Sequence, residues 1–512
     1  MPLDAVTLEL VWTRLISAVD EAAKAIVRTS FSTLSNEAND FACVLTDSEG
    51  HSLAQNTGSI PSFIGTLPAT VRAIRAAHPP AQMRPGDVYI TNNPWIGTGH
   101  LNDISLVRPI FHEGRIIAYG ATTSHVPDIG GRIRSTEARE LFEEGFHIPP
   151  MLLLRDGQVD ASLMTLLRTN VRTPDQTEGD VWAQVSALAL IDDRVLRTLA
   201  DHRLPDLTQV AREIFGRSEA EMRRRIAALP EGTWRYSMQT DGMEQPFTFA
   251  VAVTLRGGEA WFDYAGTSPQ QPRAVNCVMA YTNAMTAFAI KALLLPELPN
   301  NEGIFRPLHV SAPEGSILNP RYPAPVGGRA ATGHYVPPLI FGALAEVLPE
   351  KVRAAPGSPL WIMNIAGTDA RGRTFANVLF FNGGTGAGAT QDGVDAISWP
   401  SNISATPIEV AERTAPVLVH RKALVDGSGG TGRHHGGRGC ETVLECEADH
   451  VGTVFVTERL KFGAPGLCGG GEGARGEVLI GGRPVDTRRQ QTLMRGDVVT
   501  LRTPGGGGFG RI

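Results

Sequence analysis

Leu8, Val11, Trp12, Leu15, Val19, Ala22 and Ile26 recur at steps of three and four, with polar residues between them. That period puts one apolar stripe on a helix over residues 4–28, capped by Asp4. The texture then changes to short alternating runs. Residues 41–46 and 52–56 flank Asp47-Ser48-Glu49-Gly50 and predict a hairpin. Residues 104–111 and 115–123 flank His112-Glu113-Gly114 and predict a second. Residues 87–92 read as a short strand ended by Asn-Asn-Pro. From 141 to 199 the pattern is helical, interrupted at Pro149-Pro150 and Pro174. A charged helix follows over 206–228, with Ile214, Met222 and Ile226 on its apolar side. Residues 234–264 alternate like strands, 276–295 are helical as far as Pro296, and 299–325 are loop-rich. Residues 336–348 form a helix that opens on a proline pair, where the missing N–H does no harm.

The last 150 or so residues read as strands separated by glycine clusters, near 383–388, 427–439, 469–473 and 505–508. Their spacing is irregular, which argues against a solenoid or propeller. The expectation is a large multi-domain α+β chain of mixed sheets and helices with a glycine-rich, β-rich C-terminal part. The segments expected are 1–204 with the long helix and hairpins, a middle α/β segment at 205–357, and 358–512.

Composition narrows the function classes. A 42% hydrophobic fraction suffices for a core, and 20% charged residues exclude charge-driven disorder. The net charge of −6 argues against a nucleic-acid binder, which would carry a basic face. No apolar run approaches the length of a membrane span. The five cysteines (Cys43, Cys277, Cys440, Cys446, Cys468) form no C-x-x-C pair, and residues 1–7 lack the pattern of a secretory leader. Reduced thiols and a cytoplasmic location are therefore expected.

Several familiar motifs are missing or weak. There is no Walker-type phosphate loop and no G-x-S-x-G elbow. Gly427/Gly429/Gly432 and Gly471/Gly473/Gly476 fit G-x-G-x-x-G, but neither lies between a strand and a helix, so close backbone packing is the simpler reading. His434-His435 offers metal or anion chemistry, against the plainer reading of a solvated special loop. The glycine-rich tail after Thr503 is open to packing near a site or to mobility.

The strongest chemical signal is His-x-x-Asp repeated across the second hairpin: His100-Leu101-Asn102-Asp103 and His125-Val126-Pro127-Asp128. Residues equidistant from a hairpin turn face each other. With the turn centred near Glu113, Asp103 pairs near residue 123. His125 then sits beside Asp103 at the open end, with His100 a short loop away. Two imidazoles with one or two carboxylates suit Zn²⁺, Mn²⁺ or Fe²⁺. A His beside an Asp is also a common hydrogen-bonded loop pair, and nothing in the spacing brings Asp40 to the others.

At these residues the chain resembles the hydantoinase B/oxoprolinase family, collinearly over nearly its whole length. The resemblance rests on Asn39-Asp40-Phe41, Asn92-Asn93-Pro94, Gly99-His100-Leu101-Asn102-Asp103 and His125-Val126-Pro127-Asp128-Ile129-Gly130-Gly131. It continues through Glu144-Gly145-Phe146-His147-Ile148-Pro149-Pro150, Asn170-Val171-Arg172-Thr173-Pro174, Asn301-Glu302-Gly303, Pro323-Ala324-Pro325-Val326-Gly327-Gly328-Arg329 and the glycine-rich end. It implies a B-type subunit of an ATP-dependent hydrolase that opens hydantoins, 5-oxoproline or lactams. A hydantoinase A-type partner would bind ATP and phosphorylate the ring carbonyl, in a dimer of heterodimers. The B-type chain would carry one divalent metal, Zn or Mn before Fe, on Asp40, His100, Asp103 and His125. Leu-Asn-Asp stands here where Leu-Pro-Asp is frequent, and no second His adjoins His125, so a single ion is expected.

An unactivated lactam is a poor electrophile. O-phosphorylation makes its carbon attackable, and a divalent metal lowers the pKa of its water from 15.7 toward about 7–9. By motif position and chemistry, Asp128 or Glu144 is a candidate base or supporting group. Arg132 or Arg329 is a candidate for holding phosphate or carboxylate. Two alternatives stand beside this reading: a subunit of an ATP-dependent ketone carboxylase, and a non-catalytic scaffold for the partner.

Overall fold

The structure is a computed structural model that describes residues 4–358 and 360–512. Its first helix, α1 (Ala5–Thr29), has Asp4 accepting from the N–H groups of Val6 and Thr7. The apolar stripe is buried as expected and packs on the long helix Pro174–His202.

Seven antiparallel strands form the sheet that matters for the site. They are β1 (Phe41–Asp47), β2 (Ser52–Gln55), β3 (Val88–Thr91), β4 (Asp103–His112), β5 (Arg115–His125), β6 (Met151–Arg155) and β7 (Gln158–Val159), in the order β2-β1-β5-β4-β3-β6-β7. Helices α1 and Pro174–His202 pack on it, as does helix Thr66–Ala77. Both faces are covered, so β1 is buried at nearly every position and reads Phe-Ala-Cys-Val-Leu rather than alternating.

Three expectations need correction. The stretch 141–199 is not helical throughout: Met151–Arg155 and Gln158–Val159 are strands, and the helices are Ala161–Asn170 and Pro174–His202. A four-residue apolar run, 151–154, fits either state, and the signal that decides is Asp156-Gly157, with φ of 50° and 77°, a hairpin turn. Within the loop-rich 299–325, Leu308–Ser311 is a strand pairing in parallel with Glu259–Asp263. In the second hairpin Asp103 faces His125, not residue 123. The turn is the two-residue Glu113-Gly114, both at positive φ, and an irregularity between Ile110 and Phe111 adds one further residue.

The meander Gly232–Thr240, Phe247–Arg256 and Glu259–Asp263 alternates as its sequence predicts, and helix Val336–Ala343 packs on it. Two further sheets build the C-terminal part, four-stranded around Trp361–Thr368 and five-stranded around Cys440–Cys446 and Val498–Arg502. The glycine clusters meet there as stacked bare backbone. A Cβ on Gly436 would stand 1.9 Å from the Gly506 carbonyl oxygen, and one on Gly505 1.9 Å from that of Ser428. Both G-x-G-x-x-G runs enter this stack, through Gly429, Gly432, Gly471 and Gly473, as does the tail, which is buried through Phe509. The largest hydrophobic cluster runs from Leu8 to Phe509.

Candidate metal centre

Asp103 opens β4 and His125 closes β5, so the ladder itself sets them side by side. His100 approaches from the loop before β4, where Gly99 has φ 101° and a Cβ would meet Arg329 Cδ at 2.7 Å. Asp40 arrives because β1 is the other neighbour of β5. Phe41 pairs with Ser124, and the His125 N–H donates to the Asp40 carbonyl at 3.0 Å.

His125 Nδ1 lies 2.9 Å from Asp103 Oδ1 and 3.1 Å from His100 Nε2. His100 Nε2 is 2.7 Å from Asp103 Oδ1, and Asp40 Oδ2 is 3.9 Å from His125 Nδ1. Donor atoms on a tetrahedral Zn²⁺ with bonds of about 2.0–2.1 Å stand roughly 3.3 Å apart. His100, Asp103 and His125 therefore have the chemistry and the spacing of a metal site, and Asp40 stands at its edge, further off than the other three. Among the described residues, His100, Asp103 and His125 are the one His/Cys/Asp/Glu group so arranged.

A supporting layer fixes these side chains. Arg329 donates to Asp103 Oδ2 at 2.6 Å and, through Nε, to the Thr98 carbonyl at 2.7 Å. Its guanidinium lies 4.5 Å from the centroid of the Tyr281 ring. His100 Nδ1 faces the Gly327 carbonyl at 3.4 Å, which favours the tautomer whose Nε2 lone pair points at the cluster. Burial would raise the Asp103 carboxyl, but the facing His100 and Arg329 hold it well below the usual carboxylate range. Burial raises Asp40, and burial together with Arg329 keeps His100 neutral.

Of the other predicted residues, only Arg329 contacts this cluster directly. Glu144 Oε1 accepts from the N–H groups of Val326 and Gly327 at 2.8 and 2.7 Å, so it secures the loop that faces His100. Its Oε2 is buried without a partner, and burial pushes the carboxyl up to about 8. Asp128 accepts from Gly130 and from the backbone and guanidinium of Arg172, tying the loop after β5 to the start of the next helical region. Arg132 is exposed and pairs with Glu143 at 2.9 Å. His434 joins the glycine stack through its backbone and lies 3.4 Å from Asp392. All five cysteines are unpaired. The residue that sequence reasoning missed is Arg134, whose Nη1 is 3.0 Å from His125 Nε2. Nothing in Arg132-Ile133-Arg134 marks one guanidinium as turned inward and the other as exposed.

Fold and site together define a mixed α/β protein with a buried His/Asp centre suited to a divalent metal. The hydantoinase B/oxoprolinase family model matches residues 4–512, and the chain belongs to that family. An uncharacterised protein of Methanocaldococcus jannaschii is 31% identical over 99% of this chain and 91% of its own. A Pseudomonas sp. (strain NS671) protein named as the B-type component of a D-/L-hydantoinase is 27% identical over 99% and 90%. The 5-oxoprolinase of Saccharomyces cerevisiae is 29% identical over the whole chain, which spans 42% of that longer protein. Among solved structures, the ATP-dependent caprolactamase of Pseudomonas jessenii matches with a TM-score of 0.87 at 26% identity, over 99% of this chain and 91% of that one. Acetone carboxylase matches with a TM-score of 0.90 at 19% identity, over 99% and 76%, and shares the fold. No helix among the described residues is long and apolar enough to cross a membrane.

Proposed function

We propose that this chain is the metal-carrying subunit of an ATP-dependent hydrolase of cyclic amides, with a hydantoin, 5-oxoproline or lactam as substrate. The observation that carries the reading is the convergence of His100, Asp103 and His125 within 3.1 Å of one another in a chain of this family. Asp40, His100, Asp103 and His125 would hold one divalent ion, Zn or Mn before Fe. When bound, it would supply a Lewis acid that makes water a competent nucleophile near neutral pH.

The chain's own groups prepare that chemistry. Arg329 orients Asp103 and balances its charge. Glu144, through Val326 and Gly327, holds the carbonyl that sets the His100 tautomer. Asp128 shapes the loop after β5, and Arg132 stands on its exposed side, where a phosphate could meet it. An A-type partner would bind ATP and activate the ring carbonyl, in a cytoplasmic dimer of heterodimers. The length of the yeast 5-oxoprolinase leaves room for such a module in one polypeptide.

Elemental mass spectrometry on wild type and His100→Ala tests the centre. About one equivalent of metal in wild type, lost in the variant, is expected. A lactam and hydantoin panel with ATP and the partner then tests the reaction. Ring opening without bicarbonate separates it from ketone carboxylation, and full activity in metal-free His100→Ala would sink the assignment.

A further inference from the structure

Next to His125 the interior holds polar groups that nothing in the protein satisfies. Nε and Nη2 of Arg134 are shielded from solvent and unpartnered, as are Oδ1 of Asn364 and Oε2 of Glu144. Asn364 is buried, and its Nδ2 donates to the Arg134 carbonyl at 2.8 Å, fixing the two residues together. All three line one narrow cavity with Asn102, Asp128 and Arg132. Buried polar atoms are almost always paired, so orphans gathered around one cavity mark it as a place for a hydrogen-bonding occupant, a water or the polar end of a ligand.

The identity of the free atoms says which ligand. Nη1 of Arg134 is engaged by His125, and the remaining pair, Nε–H and Nη2–H, forms the side of the guanidinium that grips two oxygens of one anion. Charge points the same way. Arg134 and Arg329 act on the same two carboxylates, Asp40 and Asp103. A divalent ion on those ligands leaves a positive excess in a buried site, which an anion would offset. Metal loading also acts on the Arg134–His125 contact. A neutral imidazole has one lone pair. If Nδ1 gives it to a metal, Nε2 carries the proton and no longer accepts from Arg134.

We propose that Arg134 and Asn364 form an oxyanion subsite beside the His/Asp centre, which takes a phosphate or carboxylate group of the substrate. Naming the ligand as substrate rests on the proposed function; the subsite itself does not. The cavity, about 10 Å³, admits one water-sized group. One oxygen of the anion enters it, and the second meets the guanidinium from its mouth. The rest lies in the open cavity of about 460 Å³ that shares Arg132, Ile133 and Ala366 with it.

The test is calorimetric titration of the full chain with inorganic phosphate, and separately with formate, in zinc-loaded and metal-free forms. Wild type should bind more tightly when zinc-loaded. Arg134→Met should weaken binding at least about tenfold. Asn364→Asp, which puts a negative charge in the subsite, should weaken it too. Arg134→Lys keeps the charge without the fork and should fall between; it carries the comparison if Arg134→Met does not fold. Tighter phosphate assigns the subsite to a phosphate-bearing substrate and tighter formate to a carboxylate-bearing one; either supports it. Equal affinity in wild type and the folded Arg134 variants, or no binding of either ion to wild type, overturns it. If the complex opens no cyclic amide while phosphate binding still depends on Arg134, the hydrolase reading fails and the subsite stands.

Discussion

Arg329 donates to Asp103 at 2.6 Å, and both side chains are more than nine-tenths buried. Asp103 Oδ1 also meets both histidines, so a single carboxylate holds the centre together. Asp103→Ala would leave the Arg329 charge buried and unpaired, a loss of about 3–5 kcal/mol. Removing the cation as well, in Asp103→Ala with Arg329→Met, should recover part of it. Urea unfolding of the three variants and wild type measures this. A double variant no more stable than Asp103→Ala would mean that the ion pair is not what stabilises the region.

Metal removal should lower stability too, because the ion binds the folded arrangement and not the dispersed donors of the unfolded chain. At a free ion concentration one hundred times Kd the linkage is about 2.7 kcal/mol. Chelation should therefore lower the melting temperature of wild type, and leave His100→Ala unmoved. An equal shift in both would place the ion elsewhere.

The long first helix, both hairpins and the closeness of His125 to Asp103 were legible in the sequence, because period and turn position are local properties. Asp40 was placed only by resemblance: its approach depends on β1 pairing with β5, a contact between distant strands. The register of the second hairpin was missed by two residues, one because the turn is centred between Glu113 and Gly114 rather than on Glu113, and one because an irregularity leaves no mark in composition. Arg134 and Asn364 were invisible for a similar reason. One follows β5 and the other lies in Trp361–Thr368, and only the packing of the two sheets joins them.

Glu144 predicts a pH dependence. Burial raises its carboxyl from the ordinary 4.5 to about 8. Between those values the folded state keeps a proton that the unfolded chain has lost, so stability falls as pH rises from about 4.5 to 8 and levels off above. The slope approaches about 1.4 kcal/mol per pH unit at most. Glu144→Gln keeps the acceptor for Val326 and Gly327 and removes the ionisation. The wild-type advantage over it should therefore shrink as pH rises across that window. Parallel unfolding curves for the two proteins at pH 5 and pH 8 would show that Glu144 ionises freely in the fold.

Two glycine-to-alanine changes should move stability in opposite directions. Gly216 sits within the helix Thr208–Ala227, and a Cβ there meets nothing within 4 Å. Alanine removes backbone freedom from the unfolded chain and suits the helix, a gain of roughly 0.5–1 kcal/mol. Gly436 lies in the stacked backbone, where the same atom would stand 1.9 Å from the Gly506 oxygen. Neither neighbour is a side chain that can turn aside, so the backbones must part and the hydrogen bonds Gly436 N–H to Gly430 and Gly430 N–H to Gly506 are strained together. Gly436→Ala should cost more than about 3 kcal/mol or prevent folding, within the range of severe single substitutions. Thermal unfolding of the two variants checks both signs at once. A well-folded Gly436→Ala with an unchanged melting temperature would mean that the glycine stack opens in solution.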